Sequence, residues 1–383
     1  MSGAAHLAAL LATGIAAVGV LMATIGAIEV WRFMAQSAPP PRALPPISVL
    51  RPLCGEEPML EEALETLCRQ LYPTVQLVFG VQDPQDPAVQ VVQRIKARFP
   101  NADITLVGDV QCHGSNRKIS NLINMLPAAV HDVLVFSDSD LHVAPDYLAR
   151  IVAALEVPRT GLVTTVCAGM PVVRGIAACL GASGISHSFV PGALISRSMG
   201  RQDCLGTTMA LKRETLRAVG GLPALRDHLA DDNVLGQLVL RHGLSIALAR
   251  TVPATAVAER SLGALWLHEL RWARTIRALE PALFALSIAQ YPLFWAGVAC
   301  ALWPNAETAA LFGGVWLARA GAVWAIDRVI GPTRRTSLAS LALLPLRDLL
   351  SCALVGASYL GARVIWRGQI MHADSGAPAV EVV

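Results

Sequence analysis

Charge is what this chain lacks. Of its 383 residues only 15% are Asp, Glu, Lys or Arg, while 54% are hydrophobic and the mean hydropathy is +0.50. Soluble domains carry nearer a quarter of charged residues, so the deficit excludes an ordinary soluble protein and assigns part of the chain to lipid. The eight cysteines include no CxxC pair and no metal-like spacing, which argues against a zinc site or disulfide framework and for reduced thiols facing a cytosol. Basic tracts interleaved with aromatics are missing too, and a net charge of +3 is too small to attract nucleic acid. Internal repeats are absent, and the one biased segment is the short Pro-rich "SAPPPRALPP" at 37–46.

The apolar residues are unevenly spread. "HLAALLATGIAAVGVLMATIGAIEV", 6–30, exceeds the roughly 20 residues a bilayer needs and carries no charge before Glu29. No Lys or Arg precedes it, whereas Arg32 and Arg42 follow, so an uncleaved anchor with its N-terminus outside is expected rather than a signal peptide. Three further apolar stretches occupy 281–303, 306–326 and 338–360, each with a flaw: Pro292, then Arg319, then Pro345 with Arg347 and Asp348. Charges at such depth face a protein interior or wet cavity, or snorkel, and the Arg347-Asp348 pair also suits a re-entrant or interfacial turn. The basic loop 327–337 and Arg363 with Arg367 ask for the same side of the membrane, so the topology of this tail stays open. The expected organisation is an anchor over 1–31, a linker over 32–45, a globular domain over 46–260, an amphipathic helix over 261–280, apolar segments over 281–366 and a tail over 367–383.

Within the globular span, strand and helix patterns alternate. "ISVLR" precedes a helix with Leu60, Leu64, Leu67 and Leu71 on one face, and "VQLVFGV" precedes one with Val91, Val92, Ile95 and Phe99 inward. "ITLVG", a helix over "KISNLINML", "VLVFS", a helix from Pro145 and "GLVTTVC" complete the series. This order predicts an α/β fold with a mostly parallel sheet, whose ligands bind beyond the carboxyl ends of the strands.

Carboxylates stand where that rule puts a ligand. "VLVFS" ends in Asp138-Ser139-Asp140, and "VFGVQD" ends in Asp83. A D-x-D at a strand tip offers two hard oxygen ligands, Asp138 and Asp140, to Mg²⁺ or Mn²⁺ shared with a diphosphate. Asp and Ser also favour turns and N-caps, the plain alternative. "RKISNLINM" opens a helix with Arg117, Lys118 and Asn121 near its start, where basic groups and free N–H groups suit phosphate. "ADDN" puts Asp231 and Asp232 early in another helix, which the helix dipole favours in any case but which a general base over a sugar also requires. "HELRWARTIR", 268–277, aligns His268, Arg271 and Trp272 on one face of an amphipathic helix, which also suits an interfacial segment with snorkelling arginines. The small, apolar stretch 175–195 suits an acceptor entrance or an interfacial dip, with His187 as a polar contact.

The order "VQDPQDP", "SDSD", "ADDN", "HELRW" resembles the aspartate motifs and (Q/R)xxRW signature of the inverting, membrane-bound glycosyltransferases of families 2 and 21. The likeness runs over roughly 45–280, includes "SVLRPLCGEEP", and is greatest to ceramide glucosyltransferases and their bacterial relatives in hopanoid biosynthesis. It implies a GT-A fold, a UDP-sugar donor, a membrane-lipid acceptor and a multi-pass protein of the bacterial inner membrane with a cytoplasmic catalytic domain. Residue by residue, it implies that Asp83 contacts uridine and that Asp138 and Asp140 meet the metal and diphosphate, while Lys118 keeps the donor-binding role that its place at a helix start suggests. Asp232 becomes the base, with Asp231 its rival, and Arg271 and Trp272 close the site. His268 departs from the family's Gln or Arg.

Motifs nearer the hopanoid branch favour hexosyl transfer from UDP-N-acetylglucosamine to bacteriohopanetetrol. Glucosylation of ceramide from UDP-glucose is the alternative. A processive polysaccharide synthase would need more spans to thread its product, and a transporter or scaffold would leave the carboxylates as helix caps.

Overall fold

The computed structural model describes residues 3–37, 39–331, 337–366 and 369–373. Most of the 367–383 tail and positions 332–336 of the basic loop lie outside the described residues. The chain forms two compact units, one built from 37–172 with 200–258, the other from the residues up to 36, 173–199 and those from 259 onward. The globular span expected over 46–260 is therefore interrupted. Its segment Ile176–Ser198 is a 23-residue apolar helix, and it packs with the helices from the two ends of the chain.

The first unit is built on a sheet. Its strands are β1 (Ile47–Pro52), β2 (Val75–Val81), β3 (Asp103–Gly108), β4 (Val133–Ser137), β5 (Leu141–His142), β6 (Thr160–Thr164), β7 (Ala168–Pro171), β8 (Thr208–Lys212), β9 (Ser245–Leu248) and β10 (Ala254–Val257). Seven of them form one sheet in the order β3-β2-β1-β4-β8-β6-β9, and β5-β10-β7 form a smaller one. β3, β2, β1 and β4 run parallel and β6 pairs parallel with β9, whereas β8 lies antiparallel between β4 and β6. The expected mostly parallel α/β sheet is present, with β8 as an insertion that the helix-strand alternation did not announce.

β1 and β4 are buried at every position, as strands covered on both faces must be, and for that reason they read as mostly apolar runs, with Ser48 and Arg51 the exceptions in β1. Leu50, Val78, Leu134, Phe136 and Met209 of the strands meet Ile119, Leu122 and Met125 of the helix Arg117–Met125 in one core. That helix lies so close to β2 that a Cβ on Gly80 would sit 2.3 Å from the Met125 sulfur, and Asn121 donates to the Gly80 carbonyl at 2.8 Å. One detail of the sequence reading is corrected. The helix Leu60–Cys68 stops before Leu71, which is 77% exposed instead of completing the apolar face.

The chain lays down β1, β2 and β3 outward in one direction and returns to place β4 on the other side of β1. Helical connections diverge at this switch point, and the region beyond the carboxyl ends of β1 and β4 is where open α/β sheets bind their ligands.

The second unit is helical. Three of its helices, Gly3–Ala35, Ile176–Ser198 and Ala306–Ile330, are long and apolar enough to cross a membrane, and Pro281–Gln290 with Pro292–Leu302 forms a pair bent by 66°. These spans make the protein membrane-associated. Along Gly3–Ala35 the buried positions other than Val30 are small (Ala9, Ala12, Ala16, Gly19, Gly26), while Leu7, Leu11 and Leu21 point outward. Small residues inside and large ones outside is how helices pack where lipid is as apolar as the side chains.

The charges within these segments face inward. Arg347 and Asp348 are 3% and 0% exposed, so this pair marks neither an interfacial turn nor a snorkelling site. Arg347 clasps Glu269 with two bonds of 2.7 and 2.8 Å, and Asp348 accepts the Leu293 N–H at 3.0 Å just after the break at Pro292. Arg319 lies 3.8 Å from Asp348 and donates to the His187 carbonyl, while the His187 ring spans Ser183 and Asp327. Replacing Glu269 with Ala strands a buried guanidinium, so thermal unfolding in detergent is expected to show a loss of about 3 kcal/mol, largely recovered in a Glu269→Ala/Arg347→Met double variant.

Candidate active site

Beyond β4 the chain turns through Asp138, Ser139 and Asp140 into β5. Ser137 and Ser139 are buried, whereas the Asp138 side chain is 34% exposed. Asp138 Oδ1 meets Lys118 Nζ at 2.8 Å. Lys118 stands in the first turn of Arg117–Met125, which Asn116 caps by accepting the Ile119 N–H at 3.0 Å. The same Asn116 side chain donates to the His228 carbonyl at 2.8 Å and to Asp231 Oδ1 at 3.3 Å. It thereby ties this helix to the start of Asp231–Arg241, and Asp231 Oδ2 lies 3.7 Å from the Lys118 ammonium.

Asp232 follows on the same first turn. Its Oδ1 accepts the Asn233 N–H at 2.8 Å, and its Oδ2 lies against Gly206. Gly206 has φ +76, and a Cβ there would stand 2.5 Å from that oxygen. The glycine is required twice over, by its backbone angle and by the approach of the carboxylate.

The electrostatics follow from crowding. Burial pushes the Asp232 carboxyl up to about 7, helped by the Asp231 charge and opposed by Lys118. Burial and the Asp138 charge push Asp140 up to about 6, against a hydrogen bond from the Thr255 hydroxyl. For Lys118, burial acts to lower the pKa, and Asp138, Asp231 and Asp232 more than reverse it, so the ammonium stays charged.

Asp83 stands exposed beyond β2, where it accepts the Gln85 N–H at 2.9 Å. Among the described contacts it makes no hydrogen bond or ion pair with the Lys118 group. Asp86, its counterpart in "QDPQDP", holds the Gly55 and Ala88 N–H groups and is a structural cap. His268, Arg271 and Trp272 belong to the helix Leu262–Leu279 of the other unit. There His268 pairs with Glu259 and packs edge-on against Trp272 at 4.4 Å, and the Arg271 guanidinium lies 5.9 Å from the Trp272 ring. Arg274 and Arg277 donate to the Arg363 and Gly361 carbonyls, where the sequence suggested snorkelling. His187 turns both ring nitrogens to protein groups within the helical unit.

Sequence reasoning missed several groups around the turn. Glu57 accepts from Ser139 Oγ at 2.5 Å, Thr255 reaches Asp140, and Arg51 lies enclosed beneath. The available signals were a charge inside a mostly apolar strand and the "GEEP" that follows it.

No group of three or more His, Cys, Asp or Glu among the described residues is placed to hold an ion. Asp138 and Asp140 alone fit a cation of the Mg²⁺ type, which takes one or two carboxylates and completes its shell with phosphate oxygens and water.

A parallel-dominated sheet carrying this carboxylate-lysine cluster at its switch point, in one chain with helices apolar enough to cross a membrane, defines a membrane-associated α/β protein. The family model for Glycosyl transferase family 21 matches residues 11–379, and the chain belongs to that family. Ceramide glucosyltransferase 1 of Caenorhabditis elegans is 21% identical over 247 residues, covering 64% of this chain and 53% of that protein. The ceramide glucosyltransferase of Candida albicans is 28% identical over 122 residues, 29% of this chain and 22% of that one. The chain spans about half the length of the first curated relatives it matches. Among solved structures, the mannosyltransferase PcManGT from Pyrobaculum calidifontis, in complex with GDP-Man and Mn²⁺, superposes with a TM-score of 0.53 at 20% identity, covering 91% of this chain and 98% of that one. That likeness establishes the GT-A fold.

A Gly206→Ala variant is expected to lose about 1–3 kcal/mol of stability by thermal unfolding, since both the left-handed backbone and the Asp232 carboxylate must yield.

Proposed function

We propose that this protein transfers a sugar from a UDP-sugar to the hydroxyl of a membrane lipid, with inversion at the anomeric carbon. The observation that carries this reading is the convergence of Lys118, Asp138, Asp231 and Asp232 beyond the switch point of a GT-A sheet. Asp232 is the general base. Its raised pKa suits a group that must take a proton from an alcohol near neutral pH, and Asp231 keeps it raised. Removal of that proton lets the lipid oxygen attack the carbon from the face opposite the nucleotide.

Lys118 and the N-terminus of its helix hold negative charge on the donor. Asp138 and Asp140 are the ligands for Mg²⁺ or Mn²⁺, a choice in keeping with the Mn²⁺ named in the PcManGT complex. A divalent cation bound there offsets the charge that develops on the departing diphosphate. By the family resemblance Asp83 meets the uridine, Arg271 and Trp272 close over donor and acceptor, and His268 and His187 serve the acceptor side. The apolar helices bring the site to its substrate, because each buried CH₂ makes extraction of a lipid cost about 0.8 kcal/mol more. The charge bias around the first helix supports a sheet unit on the cytoplasmic side, and the resemblance to bacterial relatives supports an inner membrane.

Two substrate pairs fit. Details of the motifs favour UDP-N-acetylglucosamine with bacteriohopanetetrol. The curated relatives named above, both ceramide glucosyltransferases, favour UDP-glucose with ceramide at least as much. Membranes incubated with each donor and each lipid, followed by mass spectrometry, decide: a hexosamine-sized gain on the hopanoid supports the first, a hexose on ceramide the second. A product carrying many sugars would instead indicate a processive synthase.

The base assignment has its own tests. Asp232→Asn should abolish lipid-dependent UDP release while leaving nucleotide binding in place, because an amide cannot accept the proton. In the parent protein kcat/KM should fall as pH drops through about 7, where Asp232 takes up its proton. Lys118→Met removes the charge that lowers this pKa, so the acid limb of whatever activity remains should move to higher pH.

A further inference from the structure

We propose that Arg51 is the positioning residue for the Asp138–Asp140 turn, holding both carboxylates at the geometry they need without contacting either of them. For its link to metal and donor the inference rests on the function proposed above.

Arg51 lies in β1, whose six residues are all buried, and is itself 0% exposed. A guanidinium is taken out of water at this cost only where its surroundings repay it. Among the described residues no carboxylate stands within ion-pair distance of it. Its donors go to neutral oxygens instead: Ser137 Oγ at 3.0 Å, the Leu141 carbonyl at 3.2 Å, the Ala63 carbonyl at 3.2 Å and the Ser139 carbonyl at 3.5 Å.

Ser137, Ser139 and Leu141 are the residues that alternate with Asp138 and Asp140. One planar fork therefore grips the chain on either side of each aspartate, and the Ser139 hydroxyl is fixed in turn by Glu57 at 2.5 Å. A direct ion pair would have engaged the carboxylate oxygens. Binding the backbone leaves those oxygens to other partners while the positive charge stays near enough to offset two adjacent negative ones. Nη2 has no hydrogen-bond partner, a deficit seldom kept in a buried group that serves packing alone. Lysine cannot replace this arrangement, since a single ammonium cannot span Ser137 Oγ and the Leu141 carbonyl as the fork does.

The test uses the full-length protein in detergent, as the parent, Arg51→Lys and Arg51→Met. Three readouts are needed: thermal unfolding, hydrogen exchange of amides 138–142, and Mn²⁺ binding in the presence of UDP by electron paramagnetic resonance. The expected result is an Arg51→Lys protein that unfolds within a few degrees of the parent, exchanges faster at the turn alone, and binds Mn²⁺ about tenfold or more weakly. Its KM for the UDP-sugar should rise as well, and Arg51→Met should be worse on each count. A lysine variant that fails to fold, or one that folds with turn exchange and Mn²⁺ affinity unchanged, overturns the proposal and leaves Arg51 a core residue. Should the parent bind no Mn²⁺ with UDP, the metal-dependent reading above fails, while exchange at the turn still decides the role of Arg51.

Discussion

The site depends on one ammonium group among carboxylates. Lys118 stands 2.8 Å from Asp138 and 3.7 Å from Asp231, with Asp232 near enough to feel its charge. Two unit charges at such distances interact by roughly 4 kcal/mol at a protein-like dielectric, so three acids gathered without a cation would drive each other to protonate. Helix geometry assists. Lys118 and the two aspartates each sit in the first turn of a helix, and the exposed N–H dipoles at a helix start favour negative charge. Asn116 links the two starts, so the backbone that carries the base and the backbone that carries the lysine are held as a piece.

In the helical unit the same problem has a different solution. Arg347 with Glu269, Arg319 with Asp348 and His187 with Asp327 are paired inside a bundle whose outer surface is Leu-rich. Where little or no water is available, a charge must find its partner within the protein, and these pairs join helices far apart in sequence. In the sheet unit the balance is left incomplete: Asp138 is partly exposed and Asp140 holds a raised pKa, as suits groups that await a ligand.

Much of this was readable from local pattern. The buried strands of the sheet announce themselves as mostly apolar runs, and their order determines where ligands bind. Asp138, Asp140, Lys118, Asp231 and Asp232 each stand at an element's end, the position from which side chains reach a shared site. Arg51 escaped notice because a lone arginine in an apolar strand reads as an exception, and its meaning appears only when the carbonyls around Asp138 and Asp140 close on it. Thr255, Asn116 and Gly206 are ordinary residues in their own segments. β8 was missed for a related reason: five residues followed only by the six-residue helix Arg213–Ala218 are too few to show that they separate β4 from β6.

What the sequence determined alone was whatever depends on neighbours along the chain: the apolar spans, the strand-helix alternation, the acidic ends of strands and the membership in a pattern of motifs. Only the tertiary structure decided which carboxylates share a cation, which arginine lies beneath the turn, and that Arg347 and Asp348 face a protein interior. The physical reason is distance. Hydrophobic periodicity is written over a few residues, whereas charge compensation is settled between groups that are close in space and far apart in the chain, as Lys118 is from Asp231 and His187 from Asp327, 140 positions on.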